Sequence, residues 1–263
     1  MNIFGVIITK SKNLLPDTFT NHALMGPFII LSAVDSTNNY AMAKLHAGTI
    51  QAGSCFHAIE QSAGKGQRGK SWISKKEENI TISVCVHPDH REFPFLLPAA
   101  MALGCYDFIK EFILENVFIK WPNDVYISDR KAAGILIENI FLGAHWEWAV
   151  VGTGVNVNQD NFGELSGKAI SLKEATGSAF DVIFESRRLH RMLLARLDWM
   201  TSRSSEEIME AYNSVLYKKD QEVRLKMGAA VFSTVISHVD LNGRLVTKDT
   251  MERNFAVGEV IFV

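Results

Sequence analysis

The sequence lacks any excess of charge: Lys+Arg 27 against Asp+Glu 29 leave a formal net charge of -2 over 263 residues. Non-specific nucleic-acid binding rests on summed positive charge, so this balance argues against a protein whose main partner is a polyanion, while leaving room for a local basic patch. Long apolar runs are lacking too. The best of them, Pro27 to Val34, is strand length and falls short of the roughly 18 to 20 residues a membrane span needs. The order of a signal peptide is missing, because Met1 to Lys12 is apolar before its lysines. Paired cysteines are missing as well: Cys55, Cys85 and Cys105 are odd in number, widely spaced and each inside an apolar run, the pattern of buried free thiols in a reducing compartment. There is no internal repeat or low-complexity tract. What is present, 47% hydrophobic and 21% charged residues, fits an ordinary globular chain with one large domain or a large and a small one. Disorder and collagen-like structure are excluded, and a soluble cytoplasmic protein that neither spans a membrane nor targets DNA is expected.

From Phe28 the chain alternates strand-like and helix-like runs. Phe28 to Val34 is a short apolar strand; Ser36 to Ala47 reads as a helix closed by Gly48, with Ser36 or Thr37 available as N-cap. A strand over Ser54 to Glu60 leads into a glycine-rich basic segment ending at Trp72, and Asn79 to Val86 is again strand-like. A long helix follows Pro94 or Pro98, with Met101, Cys105, Phe108 and Phe112 at three-to-four spacing. Val117 to Trp121 and Val125 to Ser128 flank the turn Pro122-Asn123-Asp124. Ala133 to Asn139, Trp146 to Val151 and Gly152 to Asn158 read as strands, and Asp181 to Met200 as an amphipathic helix with Leu189, Leu193, Leu197 and Met200 on one stripe. Near Tyr217 the pattern changes to short strands: Glu222 to Met227 alternates strictly, Asn242-Gly243 is a hairpin signal before Arg244 to Lys248, and Phe255 to Val263 closes the chain. Such a segment is a small barrel or sandwich that needs to dock on the rest.

The segment Gly64-Lys65-Gly66-Gln67-Arg68-Gly69-Lys70-Ser71 satisfies both G-x-G-x-x-G and the P-loop pattern G-x-x-x-x-G-K-[ST]. Both patterns need a helix directly afterwards, because its N-terminus supplies the N–H groups and dipole that hold phosphate. Here Trp72 and Ile73 are followed by Ser74-Lys75-Lys76-Glu77-Glu78, which lacks an apolar stripe. No acid ends a second strand, which runs instead into His87-Pro88, and no H-R-D or D-F-G sequence follows. What remains is a loop whose glycines let backbone approach a ligand and whose cations attract a negative one. The run from Lys65 to Lys76 holds five cations and no acid.

A second cluster, Lys120-Trp121-Pro122-Asn123-Asp124 followed by Arg130-Lys131-Ala132-Ala133-Gly134-Ile135-Leu136-Ile137-Glu138, changes the reading. Together with the glycine-rich segment it resembles the biotin protein ligases, whose signatures are a G-R-G-R-x-G-x-x-W loop, a K-W-P-N-D turn and a K-x-x-G-I-L-x-E strand. Asp35-Ser36-Thr37-Asn38 resembles that family's D-S-T-N helix start, and Gly152-Thr153-Gly154-Val155-Asn156-Val157-Asn158 its G-x-G-I-N-V-N strand. The resemblance implies an α+β fold: a mixed or antiparallel sheet with flanking helices, of the class II synthetase-like biotin/lipoate ligase type, over residues 1–216. A small SH3-like β-barrel over residues 217–263 would follow. It implies the monofunctional type, since about 27 residues precede Phe28, too few for a DNA-binding winged helix.

It also implies a two-step reaction. Biotin carboxylate attacks the α-phosphate of ATP to give biotinyl-adenylate and pyrophosphate, and a lysine of a biotin carboxyl carrier protein, as in acetyl-CoA carboxylase, then attacks the adenylate. Two anions must meet, so preorganised positive charge is needed, with Mg²⁺ as the shared counter-ion. Carried over by motif, Lys131, Asp124 and Lys65 are the catalytic candidates. The biotin site would comprise Ser36, Thr37, Asn38 and Gln61 around a neutral ureido ring, with Gly64, Lys65, Gly66, Gln67, Lys131 and Gly134. The ATP site would comprise Arg68, Trp72, Lys120, Asn123, Asp124 and Asn156, with Trp72 packing over adenine and the loop excluding water. Asp124 would take the proton of the incoming lysine. Capping is the plainer role for Ser36 and Thr37, a core position for Trp72, and a simple turn for Asn123-Asp124.

The chain departs from the family at two loop positions. Lys65 stands where the second loop residue is usually arginine, losing the bidentate fork, and Gln67 stands at the fourth, losing the charge that helps retain the adenylate. Arg68 or Lys70 is expected to compensate. A lipoate ligase of the same fold and a P-loop NTPase are the alternatives, and a homodimer is left open. The histidines form no metal-binding pattern: His87 and His90 are separated by Pro88 and lack a third ligand.

Overall fold

The computed structural model describes residues 25–88 and 92–263. The expected order of Met1 to Lys12 and the His90 member of the His87/His90 pair lie outside the described residues. In chain order the first elements are β1 (Phe28–Leu31), α1 (Thr37–His46), β2 (Cys55–Ala58), β3 (Asn79–Val86) and α2 (Leu96–Lys110). There follow β4 (Val117–Lys120), β5 (Asp124–Ile127), β6 (Arg130–Leu142), β7 (His145–Asn156), α3 (Leu172–Thr176), α4 (Val182–Thr201) and α5 (Ser205–Ser214). The chain ends in β8 (Glu222–Met227), β9 (Ala230–Val239), β10 (Leu245–Lys248), β11 (Glu252–Phe255) and β12 (Ile261–Phe262).

Strands β1 to β7 make one mixed sheet in the order β1-β2-β3-β7-β6-β5-β4, in which only the β1–β2 pair is parallel. Alternation along β3 assigns the sheet's faces. Ile80, Ile82, Val84 and Val86 enter the main core with buried residues of α2 and α4, while Ser83 bonds α1 and Cys85 packs in a smaller cluster with Ala41 of α1. The α1 face therefore carries polar side chains at its centre. The expected apolar stripe of α4 is buried at Leu189, Leu193, Leu197 and Met200, with Asp181 accepting from Phe184 N–H as the cap. Pro98 sits in the first turn of α2, where its missing N–H costs nothing.

The second sheet is antiparallel, in the order β11-β10-β9-β8-β12. It docks on the first through Trp121, whose buried Nε1–H donates to the Gly243 carbonyl at 2.9 Å, and through Asn213, which bonds the Val239 backbone in both directions. Asn242-Gly243 does form the β9–β10 turn, with Gly243 at φ +78°.

Several boundaries differ from expectation. β1 stops at Leu31, and the strands expected over Trp146 to Val151 and Gly152 to Asn158 are one continuous β7. The strand expected over Phe255 to Val263 is split, because Ala256 to Val260 turns back through Gly258 at φ +91°. Helix α5, closed by a capping box between Ser204 and Glu207, and the long strand β9 were not expected. The glycine-rich segment has no helix after it: a short 3₁₀ turn over Gln67–Gly69 and the Lys65–Ser71 bridge lead back to β3, so the phosphate-binding half of the P-loop pattern is missing. All three thiols are buried and unpaired, and burial pushes the Cys85 thiol up to about 12. No helix among the described residues is long and apolar enough to cross a membrane.

Candidate active site

Backbone register places three glycines side by side on the α1 face. Gly134 of β6 pairs with Gly154 of β7, and Gly152 lies two residues further along, opposite Ser83 of β3. Each lacks a side chain because another residue occupies that volume. A Cβ on Gly154 would collide with the Trp72 indole, one on Gly152 with the Asn38 amide, and one on Gly134 would crowd Lys131 and Asp124. The floor of the cleft is thus bare backbone, with Trp72, Asn38 and Lys131 laid across it. The cleft encloses about 460 Å³ between atoms, its open mouth included.

One wall is uncharged and hydrogen-bonded. Ser36 occupies the N-cap position of α1, yet its side chain makes no cap bond. Gln61 replaces it: Gln61 Oε1 accepts from Thr37 N–H at 2.8 Å. This frees Ser36 to line the cleft and corrects the capping role considered for Ser36 and Thr37. Thr37 and Asn38 are buried at the helix start, and both contact Ser83 Oγ, at 2.7 Å and 2.6 Å.

The opposite wall is ionic. Lys131 Nζ lies 2.7 Å from Asp124 Oδ1 and 5.7 Å from the Trp72 ring centroid. Buried Asn156 donates to the carbonyls of Lys131 and Ile170 at 3.2 Å each, and so holds the backbone that carries the lysine. Asn123 Nδ2 donates to the Ile135 carbonyl at 2.5 Å. Over the top, Lys65 reaches Glu138 at 3.2 Å. Among the described residues, Trp72 Nε1 is buried without a hydrogen-bond partner.

Of the residues singled out from sequence, the structure brings Ser36, Thr37, Asn38, Gln61, Lys65, Gly66, Gln67, Trp72, Asn123, Lys131 and Gly134 to one cleft. Gly64 is buried at its edge, accepting from Trp72 N–H at 2.9 Å, and Asp124 stands behind Lys131. Three more candidates are, like Gly64 and Asp124, outside the cleft lining. Asn156 is behind it. Lys120 lies against three rings, 4.7 Å from those of Tyr126 and Phe262 and 5.6 Å from Tyr217, and burial lowers its pKa. Arg68, held at φ 57°, donates to the Gly258 carbonyl at 3.0 Å. Arg68 therefore does not line the cleft in place of the missing loop arginine: its guanidinium bonds the second sheet, so any compensation by Arg68 would act through the position of the loop. Glu138, Ser83, Thr81, Leu136, Gly152 and Gly154 were missed as site residues. Their signal was alternation, since Gly134, Leu136 and Glu138 on β6 and Gly152 and Gly154 on β7 share a face.

The chain is similar to several known proteins. Residues 30–156 match the Biotin/lipoate A/B protein ligase family. The chain is 26% identical over 243 residues to the bifunctional ligase/repressor BirA of Escherichia coli, covering 89% of this chain and 74% of that protein. It is 32% identical over 159 residues to the biotin–[acetyl-CoA-carboxylase] ligase of Paracoccus denitrificans, covering 58% and 65%. The structure of biotin protein ligase from Aquifex aeolicus in complex with biotin and ATP superposes with a TM-score of 0.75 at 25% identity, covering 90% of this chain and 98% of that one.

Proposed function

We propose that this chain, a member of the biotin/lipoate A/B protein ligase family, joins biotin to ATP as biotinyl-adenylate and then passes biotin to a lysine of a carrier protein. The observation that carries the reading is the Lys131–Asp124 pair at 2.7 Å, set on a glycine floor opposite a neutral polar wall. A ureido ring needs short polar partners, which Ser36, Thr37, Asn38 and Gln61 offer. A carboxylate approaching a triphosphate needs fixed positive charge, which Lys131 offers.

In the first step a biotin carboxylate oxygen bonds the α-phosphorus while the bond to the β-phosphate bridging oxygen breaks, and pyrophosphate leaves. Lys131 offsets the charge gathered on the phosphoryl oxygens. Trp72, lying on Gly154, offers an aromatic face for adenine and an unbonded Nε1–H for a ligand acceptor. In the second step a neutral lysine amine bonds the biotinyl carbonyl carbon and AMP leaves, with Asp124 accepting the amine's proton. The lid formed by Lys65 and Gln67 keeps water from the mixed anhydride.

Mg²⁺ enters this proposal as a companion of ATP. Among the described residues no cluster of three or more His, Cys, Asp or Glu could hold a metal. The single carboxylate Asp124 beside Asn123 suits an ion held mainly by substrate phosphates, whose positive charge assists pyrophosphate departure. The proposal extends to a division at residues 216/217, supported by the two separate sheets, and to the carboxyl carrier domain of acetyl-CoA carboxylase as acceptor. A cytoplasmic location is supported by three buried, unpaired thiols. DNA binding forms no part of it.

Incubating a biotin carboxyl carrier domain with the chain, ATP, Mg²⁺ and biotin should add the mass of one biotinyl group. Pyrophosphate exchange driven by lipoate and not by biotin would instead identify a lipoate ligase, and ATP hydrolysis without either acid a nucleotidase.

A further inference from the structure

We infer that Glu138 is a positioning residue: it fixes the direction of the hydrogen bonds in the neutral wall, so that the wall faces a ligand with acceptors. The inference rests on the proposed biotin chemistry, since a ureido ring presents two N–H donors. An ionised carboxylate can only accept. Glu138 Oε2 takes a hydrogen bond from Asn38 Nδ2 at 2.7 Å, and Oε1 takes one from Lys65 Nζ at 3.2 Å. With a longer bond from the same Nδ2 to the Leu136 carbonyl at 3.4 Å, this orients the Asn38 amide, and its Oδ1 meets Ser83 Oγ at 2.6 Å.

Each hydroxyl beyond it has a single proton to place. Ser83 gives its proton to Asn38 Oδ1, so at its 2.7 Å contact with Thr37 Oγ1 it must accept. Thr37 Oγ1, which also lies 3.1 Å from Gln61 Oε1, then gives its only proton to Ser83 across the shorter contact. Gln61 Oε1 remains held by the Thr37 backbone N–H at 2.8 Å, leaving Gln61 Nε2 beside Gly64. What Thr37 Oγ1 and Asn38 Oδ1 have left for a ligand are lone pairs. The far end of the chain of bonds is anchored on the lid by Lys65, so one carboxylate ties the lid to the ligand wall.

A glutamine at this position has the same shape and the opposite freedom. With its oxygen toward Lys65, its amino group faces Asn38 Nδ2; relief comes only if Asn38 flips and the Ser83 and Thr37 protons reverse, turning acceptors into donors. Exchanging the two groups repairs this. In N38D/E138Q the new amide accepts from Lys65 and donates to the new carboxylate on α1, to which Ser83 still donates.

The test is a four-protein cycle of wild type, Glu138→Gln, Asn38→Asp and the double variant, measuring biotin dissociation constants by calorimetry and melting temperatures. Both single variants should bind biotin about tenfold or more weakly, as expected where a buried polar group loses its partner. The double variant should return to within about threefold of wild type. The ATP KM should stay level across the cycle, a split that general loosening of the fold would not give. Should Glu138→Gln melt too low to assay, recovery of the double variant over Asn38→Asp alone carries the same information. Wild-type-like binding by Glu138→Gln, or a double variant no better than the singles, overturns the inference alone. Absence of biotin binding by the wild type overturns the proposed function and the inference together.

Discussion

Lys131 Nζ and Asp124 Oδ1 meet at 2.7 Å over Gly134, where a side chain would crowd both. In the proposed reaction the pair joins an electrostatic group to a base, so its members should fail in different steps. Lys131→Ala should lower biotin-dependent pyrophosphate exchange by about 10² to 10³, the usual loss when a fixed donor to a transition-state oxyanion is removed. Asp124→Asn should leave exchange within about tenfold and slow transfer to carrier lysine by about 10² or more, as for loss of a general base. Exchange assays and single-turnover transfer from preformed adenylate separate the two. Equal losses in both steps for both variants would contradict the division of labour.

Gly154→Ala places a methyl group where the Trp72 indole lies. If Trp72 is the adenine platform, the substitution should raise the ATP KM about tenfold and change biotin affinity by less than about twofold. Trp72→Ala should do the same. The double variant should be no worse than Trp72→Ala, because the methyl group then has nothing to displace.

The cleft was legible in the sequence to the extent that its residues lie within short motifs, each occupying one turn or one strand. Asp35 to Asn38 makes the start of α1, Gly64 to Trp72 a loop, and Lys131 to Glu138 part of β6, and local chemistry fixes each. What could not be read was register. Whether Gly152 and Gly154 face the cleft or the core depends on which residues of β3 and β6 they oppose, and one residue of slip would reverse it. The contacts that draw Arg68 and Lys120 away from the cleft are unreadable for a related reason. Their partners, Gly258 and Phe262, come from the second sheet, about 190 and 140 residues away in the sequence, and no local pattern specifies such a contact. Helix α5 was missed although its capping box was present at Ser204 and Glu207.

The contact between Arg68 and Gly258 ties the glycine-rich loop to the second sheet. It is exposed, so Arg68→Ala should lower stability by less than about 1 kcal/mol. Its effect should fall on the lid, with free biotinyl-adenylate leaving the enzyme several-fold faster in a rapid-filtration assay. Gly258→Ala should reproduce the leak, since its side chain would occupy the guanidinium position and φ +91° disfavours any L residue. Lys70→Ala serves as the comparison. Release unchanged in all three variants would mean that the loop is held by other contacts.

The pH dependence of stability should be set in large part by His57, which is 2% exposed and whose pKa burial lowers from 6.5 to about 4, with Arg187 adding to the effect. Ser186 Oγ donates to the Val182 carbonyl at 2.7 Å, so at its 3.2 Å contact with His57 Nδ1 it accepts, and the neutral ring has its partner. Because the folded pKa lies below the unfolded one, the unfolded chain binds the proton more readily between these values. Stability from this group is complete above about pH 6.5 and is lost as pH falls toward 4, by up to about 3 kcal/mol. His190, whose pKa burial also lowers, acts in the same direction. Urea denaturation at intervals from pH 7.5 to 4.5 should show the fall, and His57→Gln, which cannot titrate, should flatten it. An undiminished slope in that variant would place the acid sensitivity elsewhere, with His190→Gln as the next substitution to examine.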